Sequence, residues 1–256
     1  MEVSCIFVQN NLCMWALFKK EVQAFFSSFT GYLVIVFFLL VNGLFLWVFP
    51  GDFNLIDGGY ASLESFFVLA PWVFLLLVPA VTMRLFSEEK RNGTLELLLT
   101  KPLTDWQLVL SKYFAGLMLV LLALIPTLIF FISIYLLGSP VGNIDIGGTM
   151  GSYLGLFFLA AIYTAVGVFA SAITDNPLIS FLLAVVVSFF LYLGFDSLSG
   201  IPALQNLASV LVPFGINDHY KSISRGVIDS RDLIYFAAMS AVFLLFTRTL
   251  LQSRKW

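Results

Sequence analysis

Few residues in this 256-residue chain have the types and spacing that catalysis requires. There is one histidine, His219, with no companion histidine for a metal and no Ser/His/Asp arrangement around it. It reads as a surface histidine. The two cysteines, Cys5 and Cys13, have neither disulfide-framework nor metal-site spacing. No G-x-x-x-x-G-K-[ST] phosphate loop occurs, so this chain is not expected to hydrolyse ATP itself. No catalytic residue, metal ligand or cofactor site is expected. Charge gathers instead in one passage, Met83 to Leu103, which reads MRLFSEEKRNGTLELLLTKPL. Its mixed-sign cluster Glu88, Glu89, Lys90 and Arg91 suits a contact with another protein or a headgroup layer rather than a reaction.

The elements around that passage are apolar. Hydrophobic residues make up 60% of the chain, charged residues 11%, and the mean hydropathy is +0.99. A soluble domain carries about 25% charged residues, so the composition specifies an all-α integral membrane protein. The net charge of −2 gives no reason to expect a nucleic-acid partner. Residues 1–13 read as an N-terminal extension, and residues 14–256 as one transmembrane domain.

From Trp15 to Phe29 the residues Trp15, Leu17, Phe18, Val22, Phe25, Phe26 and Phe29 recur at helical spacing, with Lys19, Lys20, Glu21 and Gln23 between them. That is the pattern of an amphipathic helix lying in the headgroup layer, with membrane lipid as its partner. Six spans follow, over about Tyr32–Phe49, Phe66–Phe86, Tyr113–Leu137, Tyr153–Ile173, Leu178–Phe195 and Leu233–Leu250. Pro71 and Pro79 predict a kink in the second, and Pro126 lies near the middle of the third. The loop Gly138 to Gly148 is turn-rich. The fourth span carries Gly155, Ala160, Ala161, Ala165, Gly167, Ala170 and Ser171, a set that lets helices approach closely in lipid.

Ten of the thirteen Lys and Arg residues fall in one set of loops, and only Lys221, Arg225 and Arg231 in the other. The positive-inside rule therefore places both termini and the Met83–Leu103 passage in the cytoplasm. The span centres carry essentially no charge. Ion-coupled transporters and proton pumps keep ionisable groups there, so energy for any transport is expected from outside this chain.

Within the passage, Asn92-Gly93 signals a turn, and Asn92 or Thr94 is suited to cap a helix. Leu95, Leu98 and Leu99 then share a face opposite Glu96. Lys101 suits the last turn and Pro102 ends it. Thr104-Asp105-Trp106-Gln107 forms a capping box that opens a second helix into the third span. The pattern predicts a short helix across the membrane face, tied to two spans.

The run EEKRNGTLELLLTKPL resembles the cytoplasmic loop of ABC-2 type permeases, the membrane subunits of one class of ABC exporters, at Glu88, Glu89, Lys90, Gly93, Thr94, Glu96, Leu98, Leu99 and Pro102. Lys101 is inserted before the proline. Within the family, MWALFKKE, NGLFLWVFPG, LAPWVFLLLVPAVTMRLFSEEK, LGSPVGNIDIGG and SISRGVIDSRDLIYF are similar to the gliding-motility-associated GldF group. The resemblance implies the ABC-2 exporter permease fold in a bacterial inner membrane. It also implies a coupling helix docking on a separate ABC ATPase (GldA-like) through Glu88, Glu89, Lys90, Gly93, Thr94 and Glu96. The helix with Trp15, Phe18, Lys19, Lys20 and Phe25 would lie beside that ATPase. Ile201 to Phe214 would form external re-entrant helices between spans five and six. A six-span subunit is half a transporter, so a second permease is expected, a GldG-like companion or a homodimer. The competing reading is a non-transporting membrane anchor or mechanical transmitter built on the same scaffold.

Overall fold

A computed structural model describes residues 2–100, 103–202, 212–227 and 229–253, with no side-chain description for residues 2–13, Thr30 and Leu99. Lys101, Pro102 and most of the expected re-entrant segment lie outside the described residues. All regular elements among the described residues are helical: α1 Glu2–Ser27, α2 Phe29–Trp47, α3 Glu64–Thr82, α4 Ser87–Arg91, α5 Thr94–Leu99, α6 Asp105–Leu124, α7 Leu128–Leu137, α8 Ile146–Ile173, α9 Pro177–Phe189, α10 Phe195–Ser199, α11 Ile216–Ser224 and α12 Ser230–Ser253. Five helical stretches are long and apolar enough to cross a membrane, beginning at Glu64, Asp105, Ile146, Pro177 and Ser230. A sixth arises if α1 and α2 are taken together across their 67° bend.

Each boundary has a local cause. Ser28 leaves helical geometry between α1 and α2, so Phe29 begins the second helix instead of ending the first. Pro71 and Pro79 are both buried inside α3. Pro126 has the larger local effect: Ile125–Thr127 tightens into a 3-10 turn that separates α6 from α7. The helix α8 starts at Ile146, well before the expected Tyr153, because Asp145 accepts a hydrogen bond from the Gly148 amide at 3.0 Å and caps it. The residues Gly147 and Gly148, expected in a loop, therefore form its first turn. Phe190–Gly194 is a π-helical stretch joining α9 to α10.

The centre of the bundle is α8, packed on by α3, α6, α9, α11 and α12. All seven of its expected small residues are buried. Gly167 marks the closest approach: a Cβ there would sit 1.9 Å from Thr82 Oγ1 on α3. In lipid, apolar burial gives helices no preference for one another, so such close backbone packing supplies much of the association energy.

The helix α11 is fastened to its neighbours on several sides. Tyr220 on α11 donates to the Phe67 carbonyl of α3 at 2.7 Å. Ser152 on α8 donates to the Ser224 carbonyl at 3.2 Å. His219, expected at the surface, is clamped. Its ring stacks on Tyr235 at 3.9 Å, Nδ1 lies 2.6 Å from Asp232 Oδ1, and Nε2 lies 2.9 Å from the Pro213 carbonyl. It thereby ties α11 to α12 and to the stretch before α11.

Filling the α3–α8 contact tests the packing. Gly167→Leu is expected to destabilise the protein by about 1–3 kcal/mol, the usual cost of overpacking. This would be read as a lower unfolding temperature in detergent, whereas Ile173→Ala on the exposed end of the same helix should leave it nearly unchanged.

Candidate functional site

The charged passage folds into two short helices at the end of the bundle that holds most of the Lys and Arg residues. Ser87–Arg91 forms α4, which packs against the end of α8 and the start of α9. The chain then turns at Gly93, whose φ of 68° is a left-handed conformation that favours glycine. Gly93 occupies the position expected for an Asn92 or Thr94 cap and makes no side-chain capping bond there. Thr94 Oγ1 instead donates to the Glu89 carbonyl at 3.2 Å, stitching α5 back to α4. Leu95 is buried and Leu98 half-buried, while Glu96 and Leu97 face outward, Leu97 with 65% of its surface exposed. The six residues of α5 span about 9 Å at 1.5 Å per residue. After it the capping box forms as expected: the Gln107 amide donates to Thr104 Oγ1 at 3.3 Å, and the Thr104 amide to Gln107 Oε1 at 3.0 Å.

Because α6 begins at Asp105, Lys112 lies two turns inside it rather than in a loop. Its side chain is completely buried. The ammonium group donates to Glu21 Oε1 of α1 at 3.0 Å and to the Leu85 carbonyl at 2.6 Å, and forms an ion pair with Glu89 Oε1 of α4 at 2.9 Å. The Phe86 ring lies beneath it at 5.0 Å. Lys20 closes the group from outside, 3.7 Å from both carboxylates. Three segments far apart in sequence thus meet on one cation.

Two of the expected docking residues turn their charged ends inward. Glu89 belongs to the Lys112 cluster. Lys90 donates to the Ala172 carbonyl at the end of α8 and lies 4.0 Å from Asp175. A cation at a helix C-terminus satisfies its free carbonyls and complements its dipole. The exposed residues among those described in the passage are Arg84, Glu88, Arg91, Asn92, Gly93, Thr94, Glu96, Leu97 and Thr100. On α1, Trp15, Lys19 and Lys20 are exposed and Phe18 and Phe25 half-buried. The inward stripe of α1 is Leu17, Glu21 and Phe25, so Glu21 sits on the packed face and not the solvated one.

Sequence reasoning missed Glu21 and Lys112. The available signal was the placement of Lys112 among Leu108, Val109, Tyr113 and Ala115 in a capped helix, where an ionisable group must find a partner. Nothing local identified that partner. Elsewhere, Arg248 of α12 lies over the Trp106 ring at 5.0 Å, joining the last helix to the start of α6. No group of three or more His, Cys, Asp or Glu residues able to hold a metal occurs among the described residues.

Glu96 and Leu97 on the outer side of α5 are exposed. Its other side is joined to α4 by Thr94, and α4 in turn reaches Lys112 of α6 through the Glu89 carboxylate, with Glu21 of α1 on the same cation. Breaking a buried ion pair from one side costs about 3–5 kcal/mol, while replacing all members by well-packed hydrophobic residues of similar volume can be nearly free. Lys112→Met is therefore expected to lower stability by about 3–5 kcal/mol. The triple variant Lys112→Met/Glu21→Met/Glu89→Met should recover most of that loss, both being read from unfolding in detergent.

A search of curated proteins finds no match to this chain. A family model described as "ABC-2 family transporter protein" matches residues 15–227, which takes in α1, the Lys112 cluster, both short helices and all the spans up to α11. The chain belongs to the ABC-2 transporter family and is a multi-pass membrane component of an ABC transporter, a kind of protein that works with a cytoplasmic ABC ATPase.

Proposed function

We propose that this chain is the permease half of an ATP-driven exporter of the gliding-motility-associated, GldF-like type, lying in a bacterial inner membrane with both termini in the cytoplasm. The distribution of Lys and Arg supports the orientation, ten against three. Its partners are a GldA-like ATPase and a second permease, either GldG-like or another copy of itself. ATP is bound and hydrolysed by the ATPase.

The observation that carries this reading is the two-sidedness of α5. Glu96 and Leu97 project outward from a helix whose other side is bound to α4 and, through Glu89, to Lys112. Glu88, Gly93, Thr94 and Glu96, with Leu97 among them, form the docking surface. Glu89 and Lys90 act behind it, conveying its movement to α6, α1 and the end of α8. Trp15, Phe18, Lys19, Lys20 and Phe25 keep α1 in the headgroup layer beside the ATPase, where an amphipathic helix is most stable. A nucleotide-driven shift of the ATPase then moves α5 and α1 together, and the spans open a path between the two permeases.

Co-purification of the ATPase tests the docking surface. Glu96→Arg and Leu97→Asp are each expected to reduce recovered ATPase by about tenfold, the effect of losing roughly 1.4 kcal/mol of contact. Deletion of residues 93–100 should abolish it. Unchanged recovery with all three would contradict the reading. ATP-dependent movement of cargo in vesicles holding the ATPase and both permeases would separate an exporter from a non-transporting transmitter.

A further inference from the structure

Two cavities open at opposite ends of the same pair of helices. At the basic end a cavity of about 750 Å³ lies between α3, α4 and the start of α9, lined by Arg84, Arg91 and Glu88 with Met83, Leu178 and Phe181. At the other end a cavity of about 670 Å³ lies between α3, α8 and α11, with Trp72, Tyr192 and Asn217 in its wall and Lys221 and Arg225 beside Glu64 and Asp145. Both volumes are in the range of small-molecule sites. Each cavity offers two cations and at least one carboxylate.

The helices between them present apolar side chains outward. On α3, Val68, Trp72 and Leu76 are exposed at four-residue spacing, leading to Ala80 and Arg84 in the basic-end cavity. On α9, Leu178, Leu182, Val186 and Phe189 are exposed in a similar row, leading to Tyr192 and Leu193 in the opposite one. The two rows are adjacent: α3 packs on α9, and the Trp72 and Tyr192 rings meet edge-on at 6.0 Å. Exposed apolar residues on a span ordinarily need only lipid. Here the rows also end, on both sides of the membrane, in paired cations, three of them arginines. Guanidinium groups bind phosphate in a planar, two-pronged geometry. The carboxylates Glu88, Glu64 and Asp145 would accept from hydroxyl or ammonium groups on the same head.

We propose that the α3–α9 face carries an amphipath with a phosphate head that also bears hydroxyl or amine donors. Arg84 and Arg91 hold the head at the basic end, Lys221 and Arg225 hold it at the other, and the apolar chain lies along the two rows. Movement from one end to the other rests on the exporter reading above, whereas binding does not.

Native mass spectrometry of the permease purified with its ATPase tests the binding. The complex is delipidated and offered phosphatidylglycerol, phosphatidylethanolamine and diacylglycerol with identical chains. At least one phospholipid should be retained about tenfold over diacylglycerol, as charge-assisted contacts to the head predict; which one identifies the hydroxyl or the amine head. Arg91→Glu and Arg225→Glu, both at exposed positions, should each remove one of the two head sites and lower the bound phospholipid by about half, and the double variant should reduce retention about tenfold; Arg91→Lys, which loses the two-pronged contact, should restore only part of what Arg91→Glu loses. Equal retention of diacylglycerol, or no change with the double charge reversal, would overturn the proposal. The ATPase is scored in the same samples, so its loss with lipid retained would fault the docking surface and leave this site standing.

Discussion

The ammonium group of Lys112 is the constraint on which the basic end of this molecule depends. It is removed from water, and a buried charge is tolerated only when paired and fully hydrogen-bonded. Glu21 and the Leu85 carbonyl supply its hydrogen bonds, and Glu89 a second counter-charge. None of the three partners comes from its own helix, so the requirement is also a tether. If α1 or α4 moved away, a buried cation would lose an acceptor and a carboxylate its counter-charge. That penalty makes α1, α4 and α6 behave as one body over displacements of an ångström or more. A buried ion pair adds little net stability compared with apolar packing; what it adds here is a fixed relation between segments.

The rest of the bundle is held by different forces. Around α8 the helices meet through small residues, and contacts such as Gly167 against Thr82 leave no room for sliding. Lys90 fastens α4 to the end of that central helix. At the opposite end, Tyr220 and His219 bind α11 to α3 and α12 through hydrogen bonds that bridge elements. From α5 a chain of contacts runs through Thr94 to α4, through Glu89 and Lys112 into α6, and through Lys90 into α8.

Much of this was legible in the sequence where the signal was local. The capping box at Thr104 and Gln107 formed where it was read, and the small face of α8 is buried as expected. The turn at Gly93 and the inward leucine Leu95 follow from chain geometry over a few residues. What stayed hidden depended on distant partners. Glu21 and Lys112 are 91 residues apart, so nothing in the neighbourhood of either named the other. The docking role of Glu89 and Lys90 came from the resemblance, and their inward contacts to Lys112 and to the Ala172 carbonyl depend on partners far along the chain. His219 had no local reason to be other than a surface residue, because Asp232, Tyr235 and Pro213 come to it only through folding. The start of α8 was misplaced because two glycines outweighed the capping role of Asp145.

The tether itself is best examined by distance. Spin labels on exposed α1 and α4 positions, at Lys19 and Arg91, would report their separation by pulsed electron resonance in the complex with its ATPase. If Lys112 joins these segments, the α1–α4 distance stays constant between nucleotide-free and ATP-bound states while the distance from α4 to Arg225 beyond α11 changes. A change in the α1–α4 distance on ATP binding, with Lys112 intact, would contradict the claim that they move as one.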